Sequence, residues 1–355
     1  MSDQQSQKSI RPRLIRVAAV VVVFAALVFA LQGMLYQRTY VRHTLRGHGD
    51  AVFGIAYSPD GRVVATSSTD GDVRVWDTTN GQLVKKFPGH KESVHQLAFS
   101  GTGERLVTAG WDNLVRFWDL KSGTEETQVS GFCIAVSPDG GRLAVGNYYG
   151  FIELRSLDRL ERQGFFRAHE RGIAAIAFSP DGRWLATGSA DSTAKVWNAE
   201  TFELQCEIRW HTRQVWSLAF SQDGATLATA SDDGRAALWN VETGTMRNHL
   251  RSQDAHDLLY SVAYSRDGTV VAVGGMGSRE TWLQQNPLTA PFVTASRPDG
   301  GVAILFDAAT GKEIMTLEHP RQVTQVRFGA KRNQLATGSA DNLVKIWSIG
   351  ETDLP

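Results

Sequence analysis

The side chains able to do chemistry in this 355-residue chain are nine histidines, two cysteines and 37 Asp and Glu, set against 37 Lys and Arg. A hydrolytic serine needs a strained Gly-x-Ser-x-Gly elbow, a phosphate loop needs glycines before a Lys, and a zinc hydrolase needs His-Glu-x-x-His on one helical face. None of these occurs. Cys133 and Cys206 stand far apart, so they supply neither a disulfide framework nor a multi-cysteine zinc site. The balance of charges gives no electrostatic footprint for nucleic acid, which is bound mainly by clustered cations. What remains is recognition by shape, for which aromatic side chains are the favoured anchors.

The elements that must position such side chains follow from a repeat. Hydrophobic residues make up 42% and charged residues 21% of the chain, so a buried core is expected. Trp76-Asp77, Trp118-Asp119, Trp197-Asn198, Trp239-Asn240 and Trp347-Ser348 each close a stretch reading Leu-Ala-Thr-Gly-Ser-x-Asp or a close variant. Arg155 and Phe306 take the tryptophan position in two weaker copies, giving successive spacings of 42, 37, 42, 42, 67 and 41 residues. Seven copies follow: about 45–86, 87–128, 129–164, 165–207, 208–249, 250–316 and 317–350. Ser58-Pro-Asp-Gly61, Ser137-Pro-Asp-Gly140, Ser179-Pro-Asp-Gly182, Ser221-Gln-Asp-Gly224 and Ser265-Arg-Asp-Gly268 are tight-turn sequences, in which Gly supplies positive φ. No copy holds a run of ten residues with helical period, so the fold class is all-β.

Ahead of the repeats lies a different kind of segment. A basic tail, 1–16, precedes 21 residues without formal charge, 17–37, long enough as a helix to cross a hydrocarbon core. Lys8, Arg11, Arg13 and Arg16 before it slightly outweigh Arg38, Arg42 and Arg46 after it, which favours a cytoplasmic N-terminus and an extracytoplasmic domain 38–355. Cleavage as a signal peptide is the competing reading, although Leu31-Gln-Gly-Met-Leu35 is a poor small-residue site.

These residues resemble the WD-repeat family over about residues 39 to 350. The resemblance implies a β-propeller of seven four-stranded blades around a channel. It also implies buried tetrads of His, Thr, Asp and Trp: His48, Thr66, Asp70, Trp76; His90, Thr108, Asp112, Trp118; His169, Thr187, Asp191, Trp197; His211, Thr229, Asp233, Trp239; and His319, Thr337, Asp341, Trp347. A buried indole N–H needs an acceptor, and a hydroxyl, an imidazole and a carboxylate can pass donors and acceptors along one chain. His256 falls at the sixth such histidine position. These groups are read as structural, with no catalytic residue, no metal and no cofactor.

Function is expected where the copies depart from the pattern. In the third, Val145, Tyr149 and Arg155 stand where Thr, Asp and Trp are expected, and Trp111, Tyr148 and Tyr149 fall on neighbouring Asp turns. The sixth carries an insertion, 276–297, with Trp282 and Phe292. Phe53, His95, Phe132, Trp216 and Tyr260 take corresponding positions just inside the first strands, where the family often lines the channel mouth. The stretch Thr39–Arg46 has the length of a fourth strand and is expected to complete the last blade, with Thr39 on the face opposite the Asp turns. The leading functional expectation is a non-enzymatic, membrane-tethered scaffold binding a protein or peptide. The alternatives are a channel enzyme or small-ligand sensor, and a secreted binding protein released by cleavage.

Overall fold

The computed structural model describes residues 39–251, 258–277, 300–331, 333–350 and 353–354. The expected membrane segment 17–37, His256, Trp282, Phe292 and nearly all of the insertion lie outside the described residues. Among the described residues no helix is long and apolar enough to cross a membrane.

Among the described residues twenty-eight strands form seven antiparallel sheets of four, each a blade. Blade one runs outward through Val52–Tyr57, Val63–Ser68, Val73–Asp77 and Leu83–Phe87. The innermost strands of the next five blades are Val94–Phe99, Cys133–Val136, Ile173–Phe178, Val215–Phe220 and Leu259–Tyr264. Blade seven begins with Val323–Phe328, continues with Gln334–Ser339 and Leu343–Ser348, and ends with Tyr40–Arg46. The ring is therefore closed by a strand from the start of the domain, in antiparallel register from Tyr40 opposite Ser348 to Arg46 opposite Leu343. Closure of this kind leaves no free sheet edge between first and last blades.

Local chemistry sets the strand ends. In the Ser-Pro-Asp-Gly turn, Ser58 Oγ donates to Asp60 Oδ1 at 2.6 Å, the Arg62 N–H donates to the same oxygen at 3.0 Å, and Gly61 takes φ 69°. The Ser-to-Asp bond recurs at Ser137, Ser179, Ser221 and Ser265. These turns join first to second strands and lie on one face of the ring, while the Asp turns joining second to third strands lie on the other. Thr39 sits on the first face, where its hydroxyl donates to Asp353 Oδ2 at 3.1 Å and accepts from the Gly350 N–H at 3.3 Å.

The core lies between blades as much as within them. Leu45, Val52, Ile55, Val64, Trp76, Ala336, Val344 and Ile346 form one buried cluster joining blade seven to blade one. Leu45, on the closing strand, is 2% exposed. Leu45→Ala is expected to cost about 2–4 kcal/mol, the usual range for truncating a buried leucine. Urea unfolding checks this, and an unchanged midpoint would mean that the closing strand contributes nothing to the ring.

Candidate functional site

The most regular polar geometry is in five blades. Trp76 Nε1–H donates to Thr66 Oγ1 at 2.8 Å, Thr66 Oγ1 lies 2.8 Å from His48 Nε2, and His48 Nδ1 lies 3.2 Å from Asp70 Oδ2. One tautomer satisfies every group: Thr donates to Nε2, and Nδ1–H donates to the carboxylate. His90, Thr108, Asp112 and Trp118 repeat the chain, as do His169 with Thr187, Asp191 and Trp197. His211, Thr229, Asp233 and Trp239 form the fourth set, and His319, Thr337, Asp341 and Trp347 the fifth. All five threonines are fully buried. The carboxylate also caps its own turn, since Asp70 Oδ1 accepts the Asp72 N–H and Oδ2 accepts the Gly49 N–H.

Burial and charge then act in opposite senses on the two ends of the chain. Desolvation pulls His48, His90 and His319 below the ordinary imidazole value, outweighing the pull of the facing carboxylates. Desolvation alone would raise Asp70, but the N–H donors of Gly49 and Asp72 and the imidazole bring it below the usual carboxylate range. Neutral imidazole against carboxylate is thus the resting state. Among the described residues no group of three or more His, Cys, Asp or Glu is placed to hold a metal ion.

The two departing blades lose the network as a unit. By strand register, Val145 in blade three and Val273 in blade six occupy the threonine position, opposite Ile134 and Val262. Arg155 and the buried Phe306 occupy the tryptophan position. With no indole N–H to accept, a buried threonine hydroxyl would be half satisfied, so Thr and Trp disappear together. In blade three the turn acceptor has moved to Asn147, whose Oδ1 takes the N–H groups of Tyr149 at 2.9 Å and Phe151 at 3.1 Å. Tyr149 keeps the place of the turn Asp, and with the cap taken over by Asn147 its side chain has 76% of its surface exposed.

The exposed side chain adjoins an aromatic cluster on the Asp-turn face. Phe132 stacks between His95 at 4.3 Å and Tyr148 at 4.1 Å, and Trp111 meets Phe132 edge-on at 5.3 Å. Phe132 is buried and serves as the base, whereas Trp111 and Tyr148 keep 46% and 41% of their surface in solvent. Both nitrogens of His95 are buried without a hydrogen bond of good geometry, and desolvation pushes the ring down to about 4, so it acts as a neutral plate. Across the mouth, Trp216 and Tyr260 are half-buried beside Asp232, a carboxyl that burial raises and that the sequence reading did not single out. Phe53 is half-buried and belongs to neither group.

Comparison with known proteins bears on this repeated geometry. Residues 40–77, 81–119, 160–198, 202–240 and 311–348 match the WD domain, G-beta repeat. The chain belongs to the WD-repeat family. Each matched WD repeat starts with the outer strand of one blade and ends with the third strand of the next, and the two blades lacking the tetrad are the two left unmatched. Segments of the chain are similar to Striatin-4 of Homo sapiens, 47% identical over 45 residues, 13% of this chain and 6% of that protein. Periodic tryptophan protein 2 of Saccharomyces cerevisiae is 48% identical over 42 residues, 12% and 5% of the two chains. The Coronin-like protein of the same yeast is 37% identical over 62 residues, 18% and 10%. The similarity thus spans a tenth or less of these relatives' own length.

Two outcomes are expected from the WD tetrads. Asp191→Ala leaves the His169 and Thr193 donors unpartnered and should cost about 1–3 kcal/mol; equal melting of variant and parent would show the carboxylate to be dispensable. The depressed histidines also give a sign for pH dependence. Below the ordinary value of 6.5 the unfolded chain binds protons that the folded imidazoles refuse, so stability should fall as pH drops through and below that value. The lowered Asp70, Asp112, Asp233 and Asp341 add a second loss below 3.8. Melting temperatures taken across this range test it, and a rise on acidification would contradict the assignment.

Proposed function

We propose that this WD-repeat propeller is a non-enzymatic scaffold that binds a protein or peptide partner through its Asp-turn face, with Trp111, Tyr148 and Tyr149 as the leading contacts. WD-repeat propellers generally mediate protein–protein interaction, which sets the class. The observation that carries the choice of face is the cluster in blades two and three: two solvent-facing aromatic rings, Trp111 and Tyr148, held on the Phe132 and His95 base, with the exposed Tyr149 beside them in sequence. Rigid aromatic anchors lose little side-chain entropy on binding and are enriched among the contacts that dominate interfaces. Phe53, Trp216 and Tyr260 extend the same rim, and Trp282 and Phe292 belong to the reading through the blade-six insertion.

The uncharged segment 17–37 supports tethering to a membrane, with the N-terminal basic tail on the cytoplasmic side and the propeller outside it. Thr39 lies on the opposite face from the aromatic cluster, so a tether entering there would direct Trp111 and Tyr149 away from the bilayer. The even charge balance supports the absence of nucleic acid from the partners.

A photo-crosslinking residue placed at Tyr149 should give a discrete adduct that the same probe at Leu83, exposed on an outer strand, does not give. Trp111→Ala should reduce that adduct severalfold without changing the melting temperature. Equal crosslinking at both positions would remove the face assignment. For the tether, a tag after Pro355 should be cut by external protease while the protein stays with the membrane fraction, once any outer barrier is opened. Protection after that step would place the propeller on the cytoplasmic side.

A further inference from the structure

Aligning the seven innermost strands by their register isolates one residue that breaks an otherwise uniform position. Ala56, Ala98, Ala135, Ala177, Ala219 and Ala263 occupy it in blades one to six, directly opposite small or β-branched partners in the second strands. In blade seven the residue is Arg327, opposite the fully buried Ala336. Six alanines show that the position requires no long side chain to complete the packing, so Arg327 is an addition to the scaffold. It lies one residue from the end of its strand, toward the mouth on the face of the Ser-Pro-Asp-Gly turns.

Among the described residues the Arg327 guanidinium has carbonyl partners and no carboxylate. Its Nη1 donates to the carbonyls of Val326 at 3.3 Å and, across to the neighbouring innermost strand, Val262 at 3.5 Å. The surrounding protein desolvates it enough to lower it to about 10, still charged at any physiological pH. Two neutral carbonyls recover only part of the hydration that burial removes from a cation, and Arg327 keeps part of its surface in solvent. The remaining guanidinium N–H groups have no protein acceptor among the described residues, and they form the planar fork that pairs with a carboxylate through two parallel bonds.

The neighbouring residue adds an apolar component. Phe328 lines an open hollow of about 240 Å³ at the same mouth with Tyr57, Tyr264 and Arg266. The Tyr57 hydroxyl is buried there without a hydrogen-bond partner. Arg266 is a second cation in that lining, so the choice of a carboxylate rests on the planar fork of Arg327 and on the apolar rings beside it.

We propose that the channel mouth at blade seven is a binding site for an organic carboxylate, with Arg327 taking the carboxylate and the hollow of Tyr57, Tyr264 and Phe328 taking the apolar body. The site is separate from the aromatic face discussed above and does not depend on that reading. The carboxylate can come from a free small acid or from an acidic side chain of a partner.

The test is thermal melting of the full chain in sodium benzoate, sodium acetate, sodium phosphate and sodium chloride at matched ionic strength, for the parent, Arg327→Ala and Arg327→Gln. Binding to the folded state alone stabilises it by RT ln(1 + c/Kd) at free ligand concentration c, so the melting temperature rises with ligand concentration. Benzoate should stabilise the parent by several degrees over chloride, acetate should do so less, and both shifts should vanish in the two variants. Arg327→Ala restores the residue of the other six blades, so it should melt at or above the parent in chloride. A blocked peptide with one internal Glu separates the sources: stabilisation by it as well as by benzoate assigns the carboxylate to a partner side chain, and stabilisation by benzoate alone to a free acid. The absence of any benzoate shift, its persistence in Arg327→Ala, or a shift with phosphate alone would each overturn the proposal. So would loss of stability in Arg327→Ala equal in all four salts, which would make the arginine a brace between the blade-six and blade-seven carbonyls.

Discussion

A buried indole N–H that must find an acceptor organises this molecule. In five blades the acceptor is a threonine hydroxyl with no exposed surface, and satisfying that hydroxyl in turn recruits an imidazole from the incoming loop and a carboxylate from the Asp turn. One unpaired donor in the sheet therefore fixes the positions of a strand, a loop and a turn that are far apart in sequence. The requirement works as a unit, as blades three and six show: where the indole is absent, valine replaces the threonine, and the sheet keeps its backbone ladder and apolar contacts without the tetrad. Five satisfied networks and the packing between blades hold the ring in a single register, which leaves the two relaxed blades free to vary.

Much of this was legible in the residues because the physics demands particular side chains at fixed separations. Trp, Thr and Asp spaced ten and six residues apart can be read off the chain, and so can the turns whose glycines need positive φ. The closing strand was legible by arithmetic, since the last copy ends one strand short and Thr39–Arg46 supplies it. Chain order placed Trp111, Tyr148 and Tyr149 near one another, but not the stacking of Phe132 on His95, which depends on how far two neighbouring blades twist together.

Other features were hidden for identifiable reasons. The turn of blade three is capped by Asn147 instead of the residue aligned with the usual Asp, and only hydrogen-bond geometry reveals the two-residue displacement. Asp232 lies in an ordinary-looking Ser-Asp-Asp-Gly turn, and its half-buried place beside Trp216 of its own blade and Tyr260 of the next is set by how two blades meet. Arg327 reads in the chain as one more surface cation. Its place becomes visible when the innermost strands are aligned by their pairing and six alanines fall into the same column.

The pairing of Tyr40–Arg46 with Leu343–Ser348 has a bearing on biosynthesis. This strand, the first of the ring in chain order, has no partner until nearly the whole ring has been translated. Throughout that interval the nascent chain carries an unpaired edge strand, bearing Leu45 for a cluster that does not yet exist. Such an edge is a template for pairing with another chain. Arg42, Thr44 and Arg46 are polar or charged on the exposed part of this strand, beside the exposed Tyr40 and Val41, and charged side chains suit a segment that waits in water before its blade is assembled.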